Sequence, residues 1–181
     1  MLDLFIGYLF ITSVVLCLFI LKLVIESKKE INENFFTAFI EIKKLSNDVT
    51  IPFKAKLNDA GYDIMAHIKE DIIIKPKEIK LIPTGLAVNI PEGYEIQVRS
   101  RSGLAAKKGI FVLNSPGTID CGYRGEIGVI LANYGPEDVK IESGMRIAQL
   151  VVSKLPEVFI VETSQFSNDE DRGGGFGSTG I

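Results

Sequence analysis

Residues 79–99, IKLIPTGLAVNIPEGYEIQVR, decide the fold that this sequence predicts. The stretch holds three short runs rich in branched and aromatic residues, at 79–82, 86–90 and 94–99. The turn-forming triplets Pro83-Thr84-Gly85 and Pro91-Glu92-Gly93 separate these runs. Short runs between such triplets are typical of β-strands joined by tight turns. The stretch therefore predicts consecutive strands of a β-sheet protein.

The same pattern of short strand-like runs separated by turn residues extends in both directions along the chain. Further strand-like runs lie at 39–45, 72–74, 110–113, 127–131, 139–141, 146–152 and 158–161, with Gly, Pro, Asn and Asp between them. Residues 60–64 indicate a tight turn and 103–108 a single helical turn, and a helix over 31–42 is an alternative to the first strand. Many short strands with little helix predict an all-β domain over residues 39–163, built as a sandwich, jelly roll or barrel.

A long apolar run precedes this domain. Leu4–Leu21 is 18 residues without a charge, and as a helix it would span about 27 Å, close to the thickness of a bilayer's hydrocarbon core. Positive charge follows at Lys22, Lys28 and Lys29, which favours a cytoplasmic body under the positive-inside rule. We therefore expect a transmembrane anchor helix over 1–25, held in the membrane through residues 4–25, and a juxtamembrane linker over 26–38. The alternatives are a cleaved signal peptide, a buried core helix, and a soluble cytoplasmic protein.

The composition narrows the class of partner. A chain of 181 residues suggests one domain, and its net charge of −3 gives no sign of nucleic-acid binding. Its two cysteines, Cys17 and Cys121, do not suggest a disulfide framework, which suits a reducing compartment. The only histidine, His67, has no Cys or His companion and is interpreted as a surface residue rather than a metal ligand.

Two polar segments carry side chains suited to phosphate. In Arg99–Leu104, the charge of Arg101, the hydroxyl of Ser102 and the close backbone approach at Gly103 outline a phosphate-binding turn. Arg-Ser pairs on a solvated strand edge are the alternative. Gln149 lies in an otherwise apolar run and needs a polar partner, which a phosphate oxygen would supply. Asp63 is available for a metal-bound water.

The segment 117–126, GTIDCGYRGE, indicates a hairpin whose turn carries Asp120 and Tyr123. An aspartate beside a polyphosphate can orient and deprotonate a water molecule. Tyr123 can pack on a sugar ring, where a 2′-hydroxyl would collide with it. Asn114, just before the segment, offers the donor and the acceptor that recognition of a base edge needs. Ordinary turn roles are the alternatives for Asp120 and Asn114.

The C-terminal tail, residues 164–181, begins as a polar tether and ends in the glycine-rich stretch DRGGGFGSTG at 171–180. Glycine costs more backbone entropy to order than any other residue, so we expect the tail to order only against a ligand. Arg172 offers a fork for phosphate oxygens and Phe176 a flat apolar face. These groups fit a nucleotide with several phosphates; a disordered terminus is the alternative.

Five of these segments, in this order, resemble the motifs of the trimeric dUTPases: AGYDI at 60–64, RSGLA at 101–105, 117–125, 144–149 and the tail at 172–180. The resemblance covers residues 39–181. It implies an all-β subunit with a jelly-roll or β-clip barrel, and a homotrimer with shared sites. It also implies an enzyme that hydrolyses dUTP to dUMP and pyrophosphate with Mg²⁺.

The resemblance also assigns roles position by position. It implies that Asp120 is the base for water attacking the α-phosphate, and that Tyr123 underlies the deoxyribose and excludes UTP. Uracil is read by Asn114 and by the backbone of Gly117, Thr118 and Ile119. Phosphates are held by Arg101, Ser102, Gly103 and Gln149, while Asp63 helps to place the Mg²⁺ complex through water. In the tail, Arg172 grips the terminal phosphate, Phe176 covers the uracil, Ser178 and Thr179 line the phosphate end, and Gly177 is a further substrate-binding residue.

Two positions depart from the family pattern. Ser100 stands where the family often has proline, and three residues separate Arg172 from Phe176 where the family typically has four. The alternative functions are a dCTP deaminase-type enzyme of the same fold, a non-catalytic nucleotide-binding module, and a jelly-roll structural protein.

Overall fold

The computed structural model describes residues 18–24 and 38–166, and the fold within them is all-β, as predicted. Residues 18–24 are helical. No helix in the described part of the chain is long and apolar enough to cross a membrane. Most of the anchor predicted at 1–25, nearly all of the linker at 26–38 and the tail from 167 onward lie outside the described residues.

Short strands form nearly all of the regular structure between residues 38 and 166. They are β1 Glu41–Lys44, β2 Tyr62–Met65, β3 Ile72–Ile74, β4 Ile79–Pro83, β5 Leu86–Asn89, β6 Tyr94–Arg99, β7 Ile110–Val112, β8 Gly117–Ile119, β9 Gly128–Asn133, β10 Val139–Ile141 and β11 Arg146–Lys154. The helix Ser102–Lys108 lies between β6 and β7. It ends at Gly109, whose φ of 67° is left-handed, and a Cβ there would lie 2.4 Å from the backbone nitrogen of Gly135.

The strands form four antiparallel sheets. Their orders are β1-β5, β10-β3, β2-β11-β6-β8 and β4-β9-β7. The nine-residue strand β11 is central, because it pairs with β2 on one side and β6 on the other. Gln149 on β11 consequently lies opposite both Asp63 of β2 and Arg99 of β6. This register brings together residues that are far apart in sequence.

Because successive side chains of a strand point to opposite faces of the sheet, the apolar residues of the strands gather on one face and form a core of branched side chains. Ile64, Ile82, Val129, Leu131 and Ile141 are fully buried, and they come from both larger sheets and from β10. The side-chain amide of Asn133 is fully buried, and it is satisfied because its Nδ2 donates to the carbonyls of Ile74 and Glu137, each at 2.8 Å. Burial of such a group requires these bonds.

Several local predictions from the sequence are wrong. Residues 60–64 are not a tight turn, because β2 begins at Tyr62. Residues 158–161 form no strand in the described structure, and Ile160 is 97% exposed, because no neighbouring strand is there to pair with them. Segment 117–126 is not a paired hairpin: β8 pairs with β6, whereas β9 pairs with β4 and β7. The turn that carries Asp120 therefore crosses from one sheet to another.

Candidate active site

The crossing between β8 and β9 encloses a cavity of about 170 Å³. It contains all six residues that the sequence assigned to base, sugar and catalysis in this part of the chain: Asn114, Gly117, Thr118, Ile119, Asp120 and Tyr123. Apolar residues also line it, among them Val98, Val112 and Ile130. We call it the nucleoside cavity. An apolar wall with a few polar groups at the mouth is the usual composition of a small-molecule site.

Asp120 lies exposed at this cavity, directly after β8. Its backbone carbonyl accepts a hydrogen bond from Tyr123 N at 3.0 Å. Among the described residues, no donor is seen on its carboxylate oxygens, so the carboxylate does not cap its own turn. The carboxylate is therefore available to a water molecule or a ligand.

Tyr123 is held by its own hydroxyl, which donates to the carbonyl of Glu126 at 2.7 Å. The hydroxyl needs Gly125, because a Cβ there would lie 2.6 Å from the phenolic oxygen. Asn114 is placed similarly over Gly117, where a Cβ would lie 3.1 Å from its Nδ2. The side chains of Tyr123 and Asn114 can thus take these positions because Gly125 and Gly117 have no side chain.

Glu126 supports this turn and was not predicted as a site residue. Its carboxylate accepts the backbone N–H of Gly85 at 2.7 Å, and Thr84 Oγ1 donates to the carbonyl of Ile127 at 2.7 Å. Thr84 and Gly85 belong to the turn between β4 and β5, about forty residues upstream. A contact this distant has no local signal in the sequence.

A second cavity, of about 330 Å³, lies where β2, β11 and the start of the helix meet. It brings together the predicted phosphate residues Arg101, Ser102, Gly103 and Gln149 with Asp63 and with the Ala60-Gly61 pair. We call it the arginine cavity. Nothing within 4 Å would meet a Cβ at Gly103, so the backbone there is open to a ligand.

Asp63 bridges two arginines in this cavity. Its Oδ1 accepts from Arg101 Nε and its Oδ2 from Arg146 Nη1, both at 2.9 Å. Arg101 Nη1 also donates to the carbonyl of Arg146 at 3.1 Å. The Asp63 side chain is 13% exposed and that of Arg146 is 44% exposed, so Arg146 still presents donors to solvent. Arg146 lies within the family-like segment 144–149 but was missing from the predicted site residues.

Gln149 packs directly on Gly61. A Cβ at Gly61 would lie only 2.1 Å from Oε1 of Gln149. The amide of Gln149 donates through Nε2 to the carbonyl of Ser100 at 3.0 Å. The polar partner that the sequence required is therefore a backbone carbonyl, and Oε1 faces the Ala60-Gly61 segment.

The remaining site predictions concern a metal ion and the C-terminal tail. In the described part of the chain, no three His, Cys, Asp or Glu side chains lie close enough to hold a metal ion. Both Asp63 oxygens are engaged by arginine, so Asp63 does not fit a direct metal ligand. Arg172, Phe176, Gly177, Ser178 and Thr179 lie outside the described residues.

His67 lies apart from both cavities. Its Nε2 is 3.2 Å from each carboxylate oxygen of Asp48. A hydrogen bond from Ser46 and the contact with His67 lower the pKa of Asp48 below its ordinary value of 3.8. The pair links two surface loops.

The two cavities share no lining residue. One offers an apolar cleft with an available carboxylate, and the other offers two arginines with an open glycine backbone. An all-β domain with these two features is suited to binding a nucleotide polyphosphate and hydrolysing it.

Comparison with known proteins agrees with this class. The dUTPase family model matches residues 47–180. A deoxyuridine 5′-triphosphate nucleotidohydrolase of Chlamydia muridarum is 55% identical over 138 residues, covering 76% of this chain and 95% of the relative. One of Hydrogenobaculum sp. is 50% identical over 140 residues, covering 77% and 96%.

Solved structures show the same relationship. A mutant dUTPase of Staphylococcus bacteriophage 80alpha, solved with dUpNHpp, matches with a TM-score of 0.72 and 30% identity over 80% of this chain and all of the other. A mutant dUTPase from phage phi11 of S. aureus, described as coordinating a structural Mg(II) ion, has a TM-score of 0.65 and 26% identity over 72% and 99%. The chain belongs to the dUTPase family. Its activity is accordingly that of a dUTP diphosphatase, the hydrolysis of dUTP.

Proposed function

We propose that the protein converts dUTP to dUMP and pyrophosphate, with Asp120 as the base for water attacking the α-phosphate. The observation that carries this mechanism is the available Asp120 carboxylate at the mouth of the nucleoside cavity. A carboxylate in that position can orient a water molecule and remove its proton.

The nucleoside cavity is proposed to select the substrate. Asn114 and the backbone of Gly117, Thr118 and Ile119 read the uracil edge. The Tyr123 ring lies beneath the deoxyribose and leaves no room for a 2′-hydroxyl. Its rigid placement by Glu126 supports this role, since a mobile ring would discriminate poorly.

The arginine cavity is proposed to bind the phosphates. Arg101, Ser102, Gly103 and Gln149 take this role from the family pattern, and Arg146 joins them because its guanidinium faces the same cavity. Guanidinium groups match phosphate oxygens in geometry and charge. Mg²⁺, bound mainly by the substrate's own phosphates, would neutralise charge on the triphosphate. Asp63 contributes by holding the two arginines, or through a water of the Mg²⁺ complex.

A homotrimer is proposed to unite the two cavities. The outer face of sheet β4-β9-β7 carries two apolar rows, Ile79-Ala132-Phe111 and Leu81-Ile130-Leu113. Leu81 is 64% exposed, and Ile130 also lines the nucleoside cavity. A partner covering this face would lie beside that cavity. The exposed extended arm after β11, with Phe159 and Ile160, is a second apolar surface suited to a partner.

The trimer can be tested on this face. Leu81→Lys places a charge in the outer row, and Ile73→Lys makes the same change at another exposed site on β3. We expect Leu81→Lys, but not Ile73→Lys, to lower the mass measured by light scattering and to reduce turnover. A trimer that survives Leu81→Lys with full activity would contradict this interface.

The glycine-rich tail is proposed to close the site as a lid, with Arg172, Ser178 and Thr179 toward the phosphates and Phe176 over the nucleoside. Gly177 is proposed as a further substrate-binding residue of this lid. A lid that orders over bound nucleotide excludes bulk water. Its three-residue Arg172-to-Phe176 spacing can be tested by inserting one glycine between Gly174 and Gly175. A large fall in the Michaelis constant would mean that the native tail is compromised.

The N-terminal run is proposed to anchor the enzyme to the membrane, with the catalytic domain cytoplasmic. Its support is the uncharged stretch Leu4–Leu21 followed by lysines. Carbonate-washed membranes should retain the full chain, while a variant lacking residues 1–25 should be soluble and active. A full chain that stays soluble without detergent would contradict the anchor.

One experiment tests the activity and the mechanism together. Pyrophosphate release from dUTP, dCTP and UTP is measured with Mg²⁺ for the native protein and for Asp120→Asn. We expect release from dUTP alone, and a loss of at least ~10²-fold in the variant with nucleotide binding retained. Unchanged turnover in Asp120→Asn would refute the base, and release of ammonia from dCTP would indicate the deaminase alternative.

A further inference from the structure

Ser100 links the two cavities within one chain. It lies between the end of β6 and Arg101, the N-cap of the helix Ser102–Lys108. Its hydroxyl accepts the backbone N–H of Val112 at 2.9 Å, and its carbonyl accepts Gln149 Nε2 at 3.0 Å. Val112 lines the nucleoside cavity and Gln149 lines the arginine cavity. One residue thus holds both walls.

The N–H of Val112 has no strand to bond. Leu113 N donates to the carbonyl of Ile130 on the β9 side at 2.9 Å, so by antiparallel alternation Val112 N points the opposite way. β7 is the edge strand of its sheet, and Val112 is 1% exposed. A buried N–H requires an acceptor, and the Ser100 hydroxyl supplies it.

The side chains at the start of the helix have other contacts, because Arg101 pairs with Asp63 and Leu104 packs against the core. The backbone has less support there, since Arg101 makes no side-chain cap bond and no residue of the helix is fully buried. The backbone positions of Arg101, Ser102 and Gly103 therefore depend in part on how Ser100, just before them, is held. Proline, which the family often has at this position, stiffens the chain through its fixed φ. This chain has instead a hydroxyl anchored to β7.

We propose that Ser100 is a positioning residue, which fixes the phosphate-binding turn Arg101–Gly103 through the hydrogen bond from Val112. It touches no reacting atom; it determines where the turn lies relative to strand β7 of its own subunit. The inference rests on the site proposed above, with phosphates at the arginine cavity. β7 remains paired with β9 when the bond is lost, so the turn moves while the nucleoside wall stays.

The test compares two ligands on the full-length protein. Calorimetry measures the affinities of the non-hydrolysable triphosphate dUpNHpp and of dUMP for native protein, Ser100→Ala and Ser100→Thr. We expect Ser100→Ala to weaken dUpNHpp binding about tenfold, the loss typical of one hydrogen bond, and dUMP binding much less. Ser100→Thr keeps the hydroxyl and should restore both affinities. Ser143→Ala, in an exposed turn, is the matched control for removing a serine hydroxyl.

Two further measurements keep the test decisive. Amide exchange at Val112 should accelerate in Ser100→Ala, because its acceptor is gone. If Ser100→Ala does not fold, the isosteric pair Ser100→Thr and Ser100→Val makes the same comparison, and Val should lose the triphosphate selectively. The proposal would be overturned if dUpNHpp bound equally well to Ser100 variants with and without the hydroxyl. It would also be overturned if losing the hydroxyl weakened dUpNHpp and dUMP binding by the same factor. A native protein that neither binds dUpNHpp nor hydrolyses dUTP would instead refute the proposed function.

Discussion

Replacing Asp63 with asparagine removes the carboxylate that holds Arg101 and Arg146 together. Each arginine donates to a different oxygen at 2.9 Å. The amide of asparagine keeps one acceptor, and its NH₂ group would face the other guanidinium. The two positive side chains should therefore separate, and the arginine cavity should lose its geometry.

The magnitude follows from the exposure of each partner. A hydrogen bond to a charged group is worth about 1.5–3 kcal/mol, and this range applies to Arg101, whose side chain is 26% exposed. The contact with Arg146, which is 44% exposed, is worth below ~1 kcal/mol because solvent screens it. Since asparagine retains part of one bond, we expect a loss of about 2 kcal/mol, or a fall in Tm of about 4–8 °C.

The assay combines thermal unfolding with kinetics across a magnesium titration. We expect kcat/KM for dUTP to fall by about 10- to 100-fold, because the phosphate donors are no longer aligned. Since the loss arises from the arginines, extra magnesium should not restore it. Asp59→Asn removes one negative charge from the same cavity without breaking the bridge. It therefore separates the effect of losing the bridge from the effect of losing a negative charge.

Two results would refute this reasoning. An unchanged Tm would show that the bridge does not hold the arginines. Recovery of Asp63→Asn at high magnesium would show that Asp63 acts chiefly through the metal complex, as the family resemblance suggested.

Three further predictions concern single contacts. Gly61→Ala should displace Gln149, because the new Cβ would lie 2.1 Å from Oε1, and kcat/KM should fall about tenfold. Gly122→Ala, whose Cβ would meet no atom within 4 Å, is the control. A Gly61→Ala variant with the kcat/KM of the native protein would contradict the packing of Gln149 on Gly61. Tyr123→Phe loses the bond to Glu126 but keeps the ring, so the kcat/KM preference for dUTP over UTP should fall by less than ~10-fold, whereas Tyr123→Ala should lose most of it. Because folding lowers the pKa of Asp48 from 3.8, the charged carboxylate stabilises the fold above about that pH, and this contribution is lost as pH falls through the lower folded value. In Asp48→Asn, the denaturation midpoint should fall less steeply than in the native protein as the pH is lowered through the acid range. A variant with the same pH dependence as the native protein would argue against the pairing of Asp48 with His67.

Strands with a strong local pattern were predictable. Tyr94–Arg99 and Val139–Ile141 were predicted with the observed bounds, because they alternate apolar and polar residues between clear turns. β2 and β8 were missed because each is short and contains or follows glycine. Both exist through pairing with distant strands, β11 and β6 respectively. A strand that forms because of a distant pairing partner need not show an alternation of apolar and polar residues in its own sequence.

The sequence by itself determined the all-β class and the order of the chemical groups, because strand patterning, turn residues and motif spacing are local properties. The tertiary structure alone decided how those groups meet. It divided them between two cavities, carried the Asp120 turn across two sheets, and placed Asp63 between arginines that lie 38 and 83 positions away. Such contacts depend on sheet register and on the packed core, which are set by the whole chain at once.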